Sequence, residues 1–281
     1  MMQTQSSHTY TTGKIEARVF GMDALRHLED KFPSGIPEDS EHRNLRPDAS
    51  GHGIQDAALA RKGIEREFLS SELNLPEEKI FFLKQIHGPD VIRITEHDFI
   101  SANLPIAVAD GMITREPDVA LVIRTADCLP LFFHSGTEGE HSLVGVIHCG
   151  WRGLSRGILP RAIDLISFLV EQMKREKQDV DPNITVFPGP YICPSTYEVG
   201  HEVAAQFPII EQKRSARGRP LLDLYKNAAL QLEKGAGSAK ATFQLKDPLQ
   251  ALDESRFKHF YSHRRGDRSR NLNVIRIKGS E

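Results

Sequence analysis

His87, Cys128 and His148 are the side chains of this sequence best suited to act together. His87 lies in KQIHGPDV, just past an apolar run, and Cys128 in TADCLP, between two others. His148 ends the run SLVGVIH where a glycine-rich turn, CGWRG, begins. Two imidazoles and one thiolate suit Zn²⁺, and a set of three protein ligands leaves a fourth tetrahedral position open for water or substrate. Such an ion lowers the pKa of water or polarises a substrate oxygen. The separations of 41 and 20 residues mean that only folding can assemble the trio. Taken singly, each residue also has an ordinary reading, since turn histidines are usually solvated and isolated cysteines are usually small buried hydrophobes. The same residues admit a second chemistry, with Cys128 as the nucleophile and His148 as the base of a hydrolase.

Polar residues near the trio extend the candidate site. Arg124, Arg152, Arg264 and Arg265 could grip a phosphate through paired hydrogen bonds. Arg152 gains weight from its GWRG setting, where glycines permit close backbone approach and Trp151 either walls a flat ligand or caps the core. Asp110, in ADGMIT, suits an acceptor that orients a ligand histidine, or an Asx turn before Gly111. Cys128, Cys149 and Cys193 are spaced by 21 and 44 residues, which fits neither a disulfide framework nor a zinc finger. They read as reduced thiols.

Elements to position these groups follow from periodicity. Residues 31–53, rich in Pro, Gly, Ser and charge, read as a long surface loop of the same domain as the rest. Ile54 to Leu73 reads as an amphipathic helix weakened by Gly63. IFFLKQI (80–86) and DVIRIT (90–95) read as a hairpin whose turn holds His87. Strands are expected at 119–125, 130–134, 142–148, 184–190 and 273–278. Helices are expected at 157–177, 197–207 and 222–233, the first of them on the strength of Ile158, Ala162, Leu165, Ile166, Leu169 and Met173 sharing one face. Strands and helices alternate with no central linker, so one α/β domain is expected, a mixed β-sheet with flanking helices.

Composition narrows the partner. Thirty-six basic and 38 acidic side chains give a formal net charge of -2, so no excess field draws the chain to nucleic acid or a membrane. No apolar run approaches the roughly 18 residues of a membrane span. The N-terminal MMQTQSSHTYTTGK lacks signal-peptide order. A cytoplasmic protein with a small-molecule partner is expected.

Seven motifs in order, KQIHG, ADGMIT, TADCLPLFF, GVIHCGWRGL, GPYICPSTYEVG, LLDLYKNAALQL and FYSHRRGDRSRNLNVIRI, resemble those of the laccase-domain family over residues 80–277. Its members have been labelled multicopper polyphenol oxidoreductases, peptidoglycan editing factors and purine nucleoside phosphorylases. The resemblance implies a laccase-like α/β domain over 54–281, with 1–53 supplying an N-terminal strand and the long loop. It implies zinc on His87, Cys128 and His148, which would also be the catalytic group. Purine nucleosides (adenosine, inosine, methylthioadenosine) and phosphate would be the substrates, with adenosine deamination at the same site. Arg61, or else Arg66, matches an arginine of the family's substrate site. Arg152, Asp110 and Arg264 would line the substrate and phosphate region, and Asp110 or Asp127 would move protons in deamination. HCGWRG stands here for the family's HAGWRG, so Cys149 is read as a neighbour of the metal site. Copper is the alternative metal, for a polyphenol oxidase, but none of the 12 histidines forms the His-x-His pair that a trinuclear cluster uses.

Overall fold

A computed structural model describes residues 7–29, 31, 53–101, 107–135, 142–178, 181–210, 215–236, 241–246 and 258–279. The chain opens with β1 (Ser7–Thr12) and β2 (Ile15–Phe20), then α1 (Met22–Glu29) and α2 (Gly53–Leu73). β3 (Ile80–Phe82), β4 (Val91–Ile94), β5 (Gly111–Thr114), β6 (Ala120–Thr125), β7 (Leu129–Ser135) and β8 (Leu143–Cys149) follow. α3 (Trp151–Ser155) and α4 (Ile158–Arg175) lead to β9 (Asn183–Pro188), α5 (His201–Ala204), α6 (Leu224–Ala236), β10 (Thr242–Leu245) and β11 (Asn271–Ile277).

The described strands divide between two mixed sheets, one ordered β1-β2-β11-β6-β3 and the other β10-β9-β7-β8-β5-β4. The α/β class is as expected, and the strands are shared by two sheets rather than one. Alternation along the first sheet explains the layering. Leu121 and Ile123 of β6, with Ile275 and Ile277 of β11, join the large core shared with the second sheet. Their neighbours Ala120, Val122, Leu272 and Val274 point the other way, into a smaller core with Leu25 and Leu28 of α1 and Leu69 and Leu73 of α2. Ile158, Ala162, Ile166, Leu169 and Met173 bury the apolar stripe of α4 in the large core, where each fully buried Ile, Leu or Met side chain is worth about 1.5–3 kcal/mol. The order is therefore helix, sheet, sheet, helix.

The hairpin expected over 80–95 does not form. β3 pairs in parallel with β6 of the first sheet, and β4 pairs in parallel with β5 of the second. The intervening segment crosses between the sheets and passes through His87 at φ 55°. Two apolar runs around His-Gly-Pro look alike whether the chain folds back or crosses over, and here the N–H groups of the turn bond to the Asp110 side chain instead of closing a ladder. The second crossing, from β6 to β7, carries Cys128. GWRG proves to be the first turn of α3, with Gly150 as its N-cap. The helix expected over 197–207 shrinks to α5, and β5 and β10 add strands that periodicity did not reveal. The loop expected over 31–53 lies outside the described residues except for Lys31 and Gly53. No described helix is long and apolar enough to cross a membrane.

Candidate metal centre

The two crossings and the end of β8 meet at one point. His87, Cys128 and His148 each present one ligand atom there, and the three atoms lie within 4.8 Å of one another. Cys128 Sγ is 3.8 Å from His87 Nε2, and the two imidazole rings stand 4.7 Å apart at 68°. His148 is buried, while His87 and Cys128 are half-buried.

Asp110 sets the orientation of two of the three. Its side-chain oxygens accept hydrogen bonds from the backbone N–H groups of Ile86 (3.0 Å), His87 (2.9 Å) and Gly88 (2.7 Å), which holds the turn bearing His87. Oδ1 also meets His148 Nδ1 at 2.8 Å, and the Asp110 carbonyl accepts from the His148 N–H at 2.7 Å. With Nδ1 engaged, Nε2 is the nitrogen of His148 left to meet a metal ion, the arrangement by which a carboxylate fixes tautomer and ring direction. A Cβ added at Gly150 would lie 3.0 Å from Cys128 Sγ, 3.0 Å from His87 Cδ2 and 3.7 Å from His148 Nε2. The space between the three donors is thus kept clear by a residue without a side chain. Donor types, convergence and this cleared space together fit a metal ion.

The same contacts set the charges of the group. Burial alone would push the Asp110 carboxyl up, but His148 and the N–H groups of Gly88 and Ile86 outweigh it and hold the carboxyl below its usual range. Burial disfavours the charged form of His148, yet the Cys128 charge and the bond to Asp110 raise that imidazole to about 10. Burial, reinforced by the charges of Cys128 and Asp110, pushes the Cys149 thiol well up. Cys149 is fully buried in the large core, where a neutral thiol acts as a small hydrophobe.

The arginines fall into two groups. Arg264 is exposed, with its guanidinium 5.4 Å over the Tyr197 ring and Nη2 donating to the Glu198 carbonyl at 3.0 Å. Arg152, also exposed, lies over the Trp151 indole at 4.5 Å, and the charges of Arg264, Arg152 and Cys128 all act on the Tyr197 phenol. Arg264, whose N–H bonds Asp127 next to Cys128, and Arg152, four residues past His148, thus stand near the trio. Arg124 instead pairs with Glu65 of α2 at 3.2 Å, and Arg265 bonds Asp267 and the Phe260 carbonyl. Arg61 is half-buried on α2, and Arg66 lies 5.9 Å over Phe82. Their helix is tied by Glu65 to Arg124 and by Lys62 to the Leu83 carbonyl at 3.5 Å, near the strand ends that lead to Cys128 and His87. Cys193 lies 3.0 Å from Ser195 Oγ, both of them in the segment that leads to Tyr197. Tyr197 and Ser262 were missed by sequence reasoning, although YEVG and the SHRR turn carry them.

Fold and site together define an α/β protein whose His–Cys–His group, set at the junction of two mixed sheets, could hold a metal ion. The chain belongs to the family described as multi-copper polyphenol oxidoreductase laccase, whose profile matches residues 51–278. That bears out the laccase-domain resemblance. Among curated relatives, purine nucleoside phosphorylase YfiH of Escherichia coli (strain K12) is 32% identical over 174 residues, covering 59% of this chain and 63% of that protein. The chain thus matches somewhat less than two thirds of that relative. Purine nucleoside phosphorylase of Xylella fastidiosa (strain Temecula1) is 30% identical over 217 residues, 73% of this chain and 74% of the relative. The crystal structure of YlmD from Geobacillus stearothermophilus shares the fold, with a TM-score of 0.61 and 23% identity over 95% of this chain and 93% of the other.

Proposed function

We propose that the protein is a zinc-dependent purine nucleoside phosphorylase acting on adenosine, inosine and methylthioadenosine, with adenosine deamination at the same site. The observation that carries this reading is the convergence of His87, Cys128 and His148 beside two exposed arginines, in a chain related to proteins named purine nucleoside phosphorylase. His87, Cys128 and His148 would hold the ion, which when bound supplies a Lewis acid with an open fourth position.

The chain's own residues account for the remainder. Arg264 and Arg152 receive phosphate and balance its charge against the cationic sugar that develops as the glycosidic bond breaks. Trp151 and Tyr197, each beneath a guanidinium, limit where those arginines can point. Asp110 orients His148 and the His87 turn. Its oxygens already accept four hydrogen bonds, and those of Asp127 accept two, so both carboxylates are assigned to positioning rather than to proton transfer.

The test is to incubate metal-analysed protein with adenosine or inosine, with and without phosphate, and to follow base release and ammonia. Phosphate-dependent base release, with ammonia from adenosine, is expected. No turnover of any purine nucleoside by zinc-loaded protein would sink the reading. The placing of Cys128 and His148 within 4.8 Å of each other favours one other reading, a hydrolase with Cys128 as nucleophile and His148 as base, acting in peptidoglycan editing. Metal-free turnover with a covalent adduct on Cys128 would select it.

A further inference from the structure

Asp127 links Cys128 of the trio to the arginine assigned to phosphate, joined to the first by the main chain and to the second by its side chain. It precedes Cys128 and adopts φ 90°, a backbone region that side-chain-bearing residues rarely occupy and that surrounding contacts must enforce. Its side chain, 8% exposed, accepts from Ser262 Oγ at 2.6 Å and from the Arg264 N–H at 2.8 Å. Ser262 Oγ in turn accepts from the Arg265 N–H at 3.3 Å, so the turn His263–Arg265 is capped twice, and both caps lead back to Asp127.

The main chain of Asp127 makes a further tie. Its carbonyl accepts from the Ile192 N–H at 2.9 Å and so anchors the segment leading to Tyr197 and Glu198. Those two residues hold the Arg264 guanidinium, one through its ring and the other through its carbonyl. Backbone and guanidinium of Arg264 are therefore both fixed by paths that start at the residue before Cys128.

We propose that Asp127 is a positioning residue that sets Arg264 as an anion contact in register with Cys128. This deepens the phosphorylase reading and rests on its assignment of Arg264 to phosphate. Charge-assisted bonds are stronger than neutral ones, so losing them releases the turn and lets the guanidinium sample positions off the anion.

Three variants test the idea on the full chain. Asp127→Gly suits the positive φ but removes the carboxylate, Asp127→Asn keeps one acceptor oxygen, and Ser262→Ala removes one cap. The readouts are calorimetric binding of inorganic phosphate to zinc-loaded protein, zinc affinity by chelator competition, and thermal melting. Asp127→Gly is expected to weaken phosphate about tenfold and leave zinc affinity within about threefold, with the other two in between. Arg264→Ala should weaken phosphate at least as much, and adding Asp127→Gly to it should cost little more, because both changes act on one contact. If Asp127→Gly folds poorly, Asp127→Asn and Ser262→Ala still carry the comparison. Unchanged phosphate affinity in all three variants overturns the proposal, as does a parallel fall in zinc and phosphate affinity, or a wild-type protein that binds no phosphate. Phosphate binding that shifts as expected without any nucleoside turnover would remove the proposed reaction and leave this inference standing.

Discussion

Glu16 and Asp110 are both buried carboxylates held below their usual range, yet they do opposite things with that charge. Glu16, on β2, faces Arg276 directly across the sheet at 2.7 Å, with Arg18 at 2.7 Å and Lys278 at 3.5 Å. Arg276 also donates to the Leu73 carbonyl and Arg18 to that of Glu72, so the cluster caps the C-terminus of α2 with cations. It closes on itself. Asp110 is met by three backbone N–H groups and one imidazole, and that imidazole keeps its second nitrogen for the space beside Cys128. One carboxylate is neutralised by cations to close a helix end, whereas the other directs a donor set toward something outside the protein.

The largest expected effects come from removing each carboxylate in turn. Asp110→Ala strands the buried Gly88 N–H and the Nδ1 of His148 and frees the N–H groups of Ile86 and His87, at about 3 kcal/mol of stability. It should also weaken zinc binding by about 10–100-fold, the usual cost of losing the residue that orients a ligand. Glu16→Ala leaves Arg276 buried beside no carboxylate and should cost about 3 kcal/mol, with zinc affinity unchanged. Urea denaturation and chelator competition on both variants check this. Equal loss of zinc affinity in the two would erase the distinction.

A smaller change isolates the space between the donors. In Gly150→Ala the new methyl must push against Cys128 Sγ and His87 Cδ2, both 3.0 Å away. Crowding of this order costs about 1–3 kcal/mol, which corresponds to at least about a fivefold loss of zinc affinity. The Glu16 cluster should be untouched, so zinc-free protein should lose less stability than Glu16→Ala does. Zinc binding as tight as in the wild type would mean that the ion does not sit among these three residues.

How far the sequence foretold these two regions follows from the range of the contacts involved. His87, Cys128, His148 and Asp110 were legible because their side chains have few other reasons to stand at strand ends among glycines. α4 was legible because a 3.6-residue apolar period repeats over several turns. The crossover at His87 was not, since apolar runs on either side of a turn fit a hairpin equally well. Nor was the Glu16 cluster, because residues 16 and 276 become neighbours only when β2 and β11, at opposite ends of the chain, pair. The same holds for Asp127, whose bonds to Ser262 and Arg264 span about half the chain.

The smallest effect, and the one that separates the carboxylates by solution conditions, is the pH dependence of Glu16. Burial pushes its carboxyl up, but the hydrogen bonds and charges of Arg18 and Arg276 outweigh that and leave it lowered in the folded state. A lowered carboxyl favours the folded state fully above the unfolded value of about 4.3, and that contribution is lost as pH falls through the lower, folded value. The urea midpoint should therefore drop on acidification below about 4.3, and Glu16→Gln, which cannot ionise, should flatten part of that drop. The flattening should be the same with zinc present or chelated, because the cluster closes the end of α2 and shares no residue with the metal group. An acid limb that changed with zinc in the wild type but not in Glu16→Gln would tie the two regions together and break the separation drawn between them.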